Sequence, residues 1–391
     1  MPWRRTCPME QREKFVRDWR EGAWDMSALC KAYGISRKTG YKWLERCDVG
    51  GWVNLVDESR AHHWHPRTTA AEVEAGIIEM RQRYPFWGPR KLKRRLEKIV
   101  PQTTWPAAST IGAILKRHGL CRPRRKRHRT PLYEGPYVDE LKPNDVWRAD
   151  FKGWFRTTSG VRIDPLTVID GASHLLIRCQ AVERTTGDSV RGQLTAAFQE
   201  LGMPKAFKTD NGVPFASVGL GGLSPLAVWL IRLGITPERT RPGHPEDNGS
   251  HERMHKDLKE QTANPPRANR TAQQQAFDRF KAEYNDERPH ESIGMMTPAE
   301  IYTPSTRAFP KKLPEIEYPT GSMTRQVADN GTITFRDKRI YLSNALIAEL
   351  VRLEENEGWG VWYGPIYLGQ LDLKREMIKR QPTIVLPMIP V

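Results

Sequence analysis

The spacing of apolar residues changes once along this chain. Up to about residue 120 they recur every three or four positions, and from about residue 145 they alternate with polar residues in short runs. The first spacing predicts amphipathic helices, and the second predicts half-buried strands. Because the two patterns are segregated, the chain is predicted to be multidomain, with α-helical domains first and sheet-containing domains after them.

Three short helices are predicted in region 1–60. Phe15 and Trp19 lie on one face of the first, Ser27 is expected to cap the second, and Ser36 is expected to cap the third after a turn at Gly34. This is the layout of a helix-turn-helix domain, and a three-helix bundle used only for packing is the alternative. The third helix would present to the DNA major groove Arg37, Lys38, Thr39 and Lys42.

Region 66–121 predicts a second helix-turn-helix domain. Ile77 lies on its first helix, Leu92 and Leu96 lie on its second, and Ser109 or Thr110 is expected to cap its third. The polar face of the second helix is basic. The DNA-binding residues expected on that face are Arg90, Lys91 and Arg94.

A basic run, Arg122–Arg129, opens the linker predicted in region 122–143. No acidic residue neutralises the run, and its prolines favour an extended chain, so we expect a linker that lies along DNA phosphates. Its expected DNA-binding residues are Arg122, Arg124, Arg125, Lys126, Arg127 and Arg129.

Charge and composition narrow the class of partner. The 62 Lys and Arg residues exceed the 46 Asp and Glu residues, and the net charge of +16 favours a polyanion. The longest apolar stretch, 225–233, contains Arg232 and is too short to span a bilayer, so nucleic acid is expected rather than a membrane. Five scattered cysteines indicate a reducing compartment, which we take to be the cytoplasm.

Region 144–303 carries the candidate chemistry. Three hairpin strands followed by alternating helices and strands give the order of an RNase H-like α/β domain. Asp150 lies in the first strand, Asp210 ends the fourth, and Glu252 lies early on a long helix. Carboxylates on adjacent strands and a facing helix supply the hard oxygen ligands that paired divalent cations need.

Three motif blocks in this region resemble a known family. The blocks are Trp147-Arg-Ala-Asp150, Thr209-Asp-Asn-Gly212 and the stretch from Arg241 to Arg253, and a closing segment contains Arg288-Pro-His290. Together they resemble bacterial insertion-sequence DDE transposases with a retroviral-integrase-like catalytic core, over residues 10–305.

The resemblance implies an activity and a catalytic triad. Asp150, Asp210 and Glu252 would bind two Mg²⁺ ions, for which Mn²⁺ can substitute. Such an enzyme binds the terminal inverted repeats of its element, exposes 3′-hydroxyls by cleavage and joins them to target DNA by two-metal phosphoryl transfer. Its expected partners are double-stranded DNA and further copies of itself, as a homodimer or a higher oligomer in a synaptic complex. Its expected location is the bacterial cytoplasm, associated with the nucleoid.

One departure leaves the third carboxylate open. The interval from Asp210 to Glu252 is longer than usual for the family, and Glu246 stands nearer the usual spacing. Glu252 is preferred because it lies on the helix, whereas Glu246 lies in a proline-rich loop. Lys256 and Lys259 share a helix face with Glu252 and are expected to hold the DNA end.

Alternating residues in region 320–391 predict a small β-barrel domain, with a helical stretch over Leu346–Glu357. Contact with DNA or a partner subunit and plain structural support are both open as its role. Two other functions also remain open for the whole chain. One is an RNase H-like metal-dependent nuclease, and the other is a DNA-binding regulator with an inactive integrase-like core.

Overall fold

The computed structural model describes residues 7–57, 68–121, 140–210, 212–215, 220–240, 249–355 and 358–379. The chain divides into two compact units, Met1–Thr69 and Ala70–Val391. No helix within the described ranges is long and apolar enough to cross a bilayer. Most of the basic linker (122–139) lies outside those ranges, as does the segment 241–248 with Glu246.

The first unit is a three-helix domain closed by a 3-10 turn at Trp52–Leu55. Its helices are α1 (Pro8–Arg20), α2 (Met26–Ala32) and α3 (Arg37–Gly50). Ser36 caps α3 as predicted, but Asp25 rather than Ser27 caps α2. The carboxylate of Asp25 accepts the backbone N–H of Ser27 at 2.9 Å, because the helix starts with the buried Met26 and already includes Ser27.

A second three-helix domain opens the second unit. Its helices are α4 (Ala71–Arg83), α5 (Pro89–Ile99) and α6 (Ala108–Arg117). Neither Ser109 nor Thr110 caps α6, so that prediction was wrong. The helix starts earlier, because the carbonyl of Ala107 already accepts the backbone N–H of Ile111 at 3.0 Å.

A six-stranded mixed sheet forms the centre of the second unit. Its strands are β1 (Val146–Phe151), β2 (Phe155–Arg156), β3 (Arg162–Asp170), β4 (Leu176–Val182), β5 (Ala206–Thr209) and β6 (Thr236–Arg239). The order is β2-β3-β1-β5-β6, and β4 pairs with β3. The hairpin strands pair antiparallel, whereas β1, β5 and β6 run parallel. This is the predicted RNase H-like order.

Helices cover both faces of the sheet. They are α7 (Gly187–Leu201), α8 (Pro225–Arg232), α9 (Gly249–Thr262) and α10 (Arg270–Ala282), with a π-helical turn at Glu283–Glu287 and α11 at Pro298–Ile301. Side chains of α7 and α8, such as Phe198 and Trp229, share one core with Trp147. Side chains of α9 and α10, such as Met254 and Phe277, share a second core. The sheet therefore holds α9 on the face opposite α7 and α8.

The C-terminal module is a sheet and a hairpin. Its strands are β7 (Met323–Gln326), β8 (Thr332–Phe335), β9 (Lys338–Tyr341), β10 (Leu350–Glu355), β11 (Trp359–Tyr363), β12 (Ile366–Asp372) and β13 (Met377–Lys379). The sheet order is β13-β12-β11-β10-β7, and β8 pairs with β9. Within the described residues the sheet does not close, so the small β-barrel is not confirmed.

The helix predicted over Leu346–Glu357 is wrong. A 3-10 turn ends at Leu346, and β10 occupies Leu350–Glu355. Val351 and Leu353 are buried whereas Leu350, Arg352 and Glu354 are not, which is the alternation of a strand. Pairing with β7 on one side and β11 on the other overrides the helical propensity of this glutamate-rich stretch.

Ser224 links α8 to the chain that follows Asp210. Its side chain accepts the N–H of Ala227 at 3.2 Å, and its hydroxyl donates to the carbonyl of Phe215 at 2.9 Å. Phe215 in turn packs against Phe151 of β1, with ring centroids 5.7 Å apart. The buried serine therefore holds both a helix end and the loop beside β1.

We predict that Ser224→Ala lowers the free energy of unfolding by about 1–2 kcal/mol, because it removes a cap and leaves a buried carbonyl without its donor. Urea denaturation measures the change. Ser189→Ala on α7 is the control and should alter stability by less than about 0.5 kcal/mol. Equal effects of the two substitutions would contradict the role given to Ser224.

Candidate active site

Two aspartates lie at the same edge of the central sheet. Strands β1 and β5 pair in parallel with Ala149 opposite Thr209, so Asp150 and Asp210 occupy neighbouring positions. Asp210 Oδ1 accepts the backbone N–H of Gly212 at 3.1 Å. A Cβ atom at Gly212 would lie 3.0 Å from Asp210 Oδ2, so a glycine there leaves the carboxylate room.

Glu252 approaches this edge from the first turn of α9, where its side chain is exposed. The negative charge of Glu252 acts on Asp150, which is half-buried in β1. Burial raises the pKa of Asp150 from its ordinary value of 3.8 to about 7, repulsion from Asp210 adds to the rise, and Glu252 contributes further. All three carboxylates are therefore near enough to interact electrostatically.

This donor set fits a divalent cation chemically. Carboxylate oxygens are the ligands that Mg²⁺ prefers, and a cation would relieve the repulsion that raises the pKa of Asp150. In the described parts of the chain, no three His, Cys, Asp or Glu side chains already stand close enough to hold one ion. Side-chain adjustment, above all by the exposed Glu252, would accompany metal binding.

A pair of buried histidines fixes α9 against the sheet. Nε2 of His251 and Nε2 of His255 each lie 2.6 Å from Thr167 Oγ1, on strand β3. The Thr167 hydroxyl donates to the carbonyl of Asp150 at 3.1 Å, so both imidazoles must donate to the Thr167 oxygen. His255 Nδ1 lies 3.7 Å from Asp150 Oδ2.

Both imidazoles stay neutral in this environment. Burial lowers the pKa of His255 to about 3 and lowers the pKa of His251 well below its usual range. They act as structural donors that align Glu252, between them in the chain, with Asp150.

Sequence reasoning missed this pair, although the chain showed a signal. His251-Glu252-Arg253-Met254-His255 has the H-E-x-x-H spacing, which places both histidines on one helix face and is often a zinc motif. Here that face is turned inward, and both Nε2 atoms contact a threonine hydroxyl. In this protein the two histidines of the motif therefore hold α9 against strand β3.

The residues predicted for DNA in the first unit occupy the start of α3. Arg37, Lys38 and Lys42 are exposed, and Thr39 is half-buried beside Ser36, with their hydroxyl oxygens 2.9 Å apart. The Lys42 ammonium lies 4.9 Å from the centroid of the Trp43 ring, which limits its freedom through a cation–π contact.

The predicted residues of α5 divide between two environments. Arg90 and Arg94 are exposed. Lys91 instead lies half-buried in a cleft with Arg253 and Arg288, so it does not share their outward face. Burial lowers the pKa of Lys91 to about 7, and the charge of Arg288 adds to the lowering. Helical spacing alone did not reveal that α5 packs against the core.

Acidic side chains of the core contact α5 and the turn between α4 and α5. Tyr84 donates to Glu287, which also pairs with Arg95 at 3.3 Å. Trp87 Nε1 donates to Glu283 at 3.0 Å. Further along α5, Lys98 pairs with Glu300 of α11 at 2.6 Å. The second three-helix domain is therefore docked on the core through the segment after α10.

Two further residues predicted for DNA lie on α9. Lys256 and Lys259 are exposed on the same face as Glu252, as predicted. Lys256 pairs with Glu260 at 3.7 Å, one turn further along the helix. The exposed face of α6 was not predicted as a DNA-binding surface. It presents Ser109, Thr110, Ala113, Lys116 and Arg117.

Known protein families match both the helical domains and the sheet-containing core of this chain. The family described as Integrase core domain matches residues 140–245, and a second family of that description matches 233–298. A Helix-turn-helix domain matches 11–62, and a Homeodomain-like domain matches 39–115. The chain thus combines helix-turn-helix domains with an integrase core.

Two curated relatives of this chain are proteins of insertion elements. An uncharacterized 31.7 kDa protein of insertion element IS407 from Burkholderia multivorans is 25% identical, over 71% of this chain and 94% of the relative. An uncharacterized 39.2 kDa protein of IS476 from Xanthomonas euvesicatoria is 26% identical, over 65% of this chain and 70% of the relative. The resemblance to insertion-sequence proteins with an integrase-type core is confirmed.

Solved structures of viral integrases also match. The catalytic core domain of HTLV-2 integrase in complex with magnesium is 16% identical, with a TM-score of 0.32, over 42% of this chain and 99% of that one. A chain of a simian T-cell lymphotropic virus intasome is 16% identical, with a TM-score of 0.38, over 72% of this chain and 99% of that one.

We predict that Asp150→Asn stabilises the metal-free protein at pH 8. The folded-state pKa of Asp150 lies above its unfolded-state value, so ionisation of this carboxyl costs the wild type stability as the pH rises from about 4 to about 7, a loss that is absent below pH 4. Asparagine escapes that loss, which is about 2–4 kcal/mol at roughly 1.4 kcal/mol per pKa unit. Urea denaturation of both proteins from pH 4 to 8 measures it. A difference that does not grow with pH would contradict the burial of charge.

The histidine clamp gives a second prediction. Thr167→Val should lower the free energy of unfolding by about 2–4 kcal/mol, because two buried imidazole N–H groups lose their acceptor. Thr167→Ser, which keeps the hydroxyl, should lose less than half of that. Chemical denaturation of the three proteins decides. If the valine and serine variants lost the same free energy of unfolding, altered packing rather than loss of the hydroxyl would explain the change.

Proposed function

We propose that the protein is a DDE transposase that binds the terminal inverted repeats of its insertion sequence, cleaves to expose 3′-hydroxyls and joins them to target DNA. The observation that carries the proposal is the position of Asp150, Asp210 and Glu252 at one edge of an integrase core, where the charges of Asp210 and Glu252 both act on Asp150. A structural role would not explain why like charges gather around a half-buried group.

The three carboxylates would hold two Mg²⁺ ions, or Mn²⁺ in their place. When bound, the ions stabilise the attacking and leaving oxygens of an in-line displacement at phosphorus. The chain's own contribution is placement. Sheet pairing fixes Asp150 beside Asp210, and the clamp of His251 and His255 on Thr167 fixes the start of α9, which carries Glu252.

Basic surfaces would position the DNA. Exposed Arg37, Lys38 and Lys42 lie at the N-terminal end of α3, where a recognition helix contacts base edges, with Thr39 beside them. Arg90 and Arg94 on α5, and Lys256 and Lys259 on α9, would contact phosphates, and the linker arginines and lysine of 122–129 are proposed to do the same. Two helix-turn-helix domains would lengthen the recognised site and raise specificity.

An element has two ends, so joining both requires at least two catalytic chains. We therefore propose a homodimer or a higher oligomer in the synaptic complex. The C-terminal sheet packs on α8 of the core, since Val228 and Ile231 share a core with its strands. This packing supports a structural role for the module.

An RNase H-like nuclease that stops at hydrolysis is the second candidate, because the same carboxylates would serve it. The two reactions are separated by incubating the protein with Mg²⁺, a labelled element end and a plasmid. Joined products support the transposase, and shortened strands alone support the nuclease.

We predict that Asp150→Asn, Asp210→Asn and Glu252→Gln each reduce cleavage and joining at least about a hundredfold, because each removes a cation ligand. End binding, measured by fluorescence anisotropy, should stay within about threefold of wild type. Glu246→Gln is the matched control and should retain activity. Loss of activity in Glu246→Gln with retention in Glu252→Gln would transfer the third role to Glu246. Wild-type cleavage by both aspartate variants would instead favour a DNA-binding regulator with an inactive core.

A further inference from the structure

A cleft of about 120 Å³ lies between α5 and the core, beside the candidate catalytic helix. Its charged lining residues are Lys91, Arg253, Asp257, Arg288 and Glu291, with His174 and His290. Three basic side chains therefore face two carboxylates. Burial lowers the pKa of His290 to about 3 and also lowers the pKa of His174, so the imidazoles add no charge near neutral pH.

Arg288 is built into the wall of this cleft. The residue is 5% exposed, and its guanidinium lies 5.5 Å from the centroid of the Tyr284 ring. Nη2 donates to Asp257, whereas the buried Nε and Nη1 have no hydrogen-bond partner. Buried guanidinium N–H groups without an acceptor are costly, and oxygen atoms of an anion would satisfy them.

The other cations lie around the same space. Lys91 comes from the first turn of α5, and Arg253 directly follows Glu252 on α9. Arg253 and Asp257 are four residues apart and share a helix face that differs from the face of Glu252. Burial and the charges of Arg288 and Arg253 hold the pKa of Lys91 down, as expected where cations are gathered without enough counter-charge.

A neighbouring groove points to the source of the anion. That groove, of about 300 Å³, is lined by Arg90, Lys93 and Arg94 of α5, together with Glu97 and Glu291. Glu291 lines both spaces, so the groove adjoins the cleft. A nucleic acid backbone that follows the exposed arginines of α5 would bring a phosphate to the cleft.

We propose that Lys91, Arg253 and Arg288 form a binding site for one backbone phosphate of DNA, between the second three-helix domain and the core. The site deepens the proposed function, on which it rests for its biological use. It holds the strand one helix face away from Glu252, so it sets the distance between bound DNA and the carboxylates.

The salt dependence of DNA binding tests the site without requiring cleavage. A random-sequence duplex of about 20 base pairs is titrated with the full chain at several salt concentrations. Lys91→Gln and Arg253→Gln should each reduce the slope of log affinity against log salt by about 1, and weaken binding about three- to tenfold at 0.1 M salt. Arg279→Gln, an exposed arginine of α10, is the charge-matched control and should leave the slope unchanged.

Inorganic phosphate gives an independent measurement at constant ionic strength. Replacing chloride by phosphate should raise the melting temperature of the wild type saturably, and Lys91→Gln should weaken the apparent phosphate affinity about tenfold. Asp257→Asn keeps the shape of its side chain and removes a competing negative charge, so it should tighten phosphate binding. A purely structural cluster would not give these opposite changes.

Failure of the site and failure of the proposed function are distinguishable. Unchanged salt slopes in Lys91→Gln and Arg253→Gln would overturn the phosphate site. The proposed function would still be supported if the wild type joined strands. The site would also be overturned if the variants lost binding of inorganic phosphate but kept the wild-type salt slope for DNA. The cleft would then bind free phosphate rather than a backbone phosphate of DNA. Reduced slopes in a protein that joins no DNA would support the site and reject the transposase.

Discussion

The site depends on a carboxyl group that is half-buried among like charges. Asp150 cannot move away from Asp210, because the hydrogen bonds of β1 and β5 fix their relative register. The clamp on Thr167 likewise fixes the helix that brings Glu252. The fold therefore keeps Asp150 partly buried and within reach of two like charges, and the raised pKa of Asp150 reflects the cost of that burial first and of the repulsion second. Such a cost persists where a bound cation offsets it.

Each face of helix α9 contacts a different part of the unit, so the helix connects the candidate site to the rest of the fold. His251 and His255 contact the sheet, and Met254 and Leu258 pack in the core shared with α10. Arg253 lies on the face toward α5, and the exposed face carries Glu252 with the two lysines beyond it. Because the inward faces are fixed by packing, the outward faces have a defined orientation.

Sequence patterns predicted the elements of the core better than its contacts. The strands around Asp150 and Asp210 were found because alternation and turn residues are local signals. Lys91 was assigned to an outward face, because spacing along α5 says nothing about which neighbour covers it. The same limit concealed the histidine clamp, whose partner Thr167 lies on another strand. The strand at Leu350–Glu355 was missed because its pairing partners, not its own propensity, decide its conformation.

The second three-helix domain is docked on the core close to the helix that carries Glu252. Trp87 and Tyr84 donate to Glu283 and Glu287, which belong to the π-helical turn directly after α10. That turn leads to Arg288 in the wall of the cleft, and α10 packs against α9. In the proposed complex, a DNA strand held on α5 would be positioned relative to α9 through these packed contacts. Phosphoryl transfer is sensitive to the placement of the attacked phosphate, so this connection would contribute to the proposed strand joining.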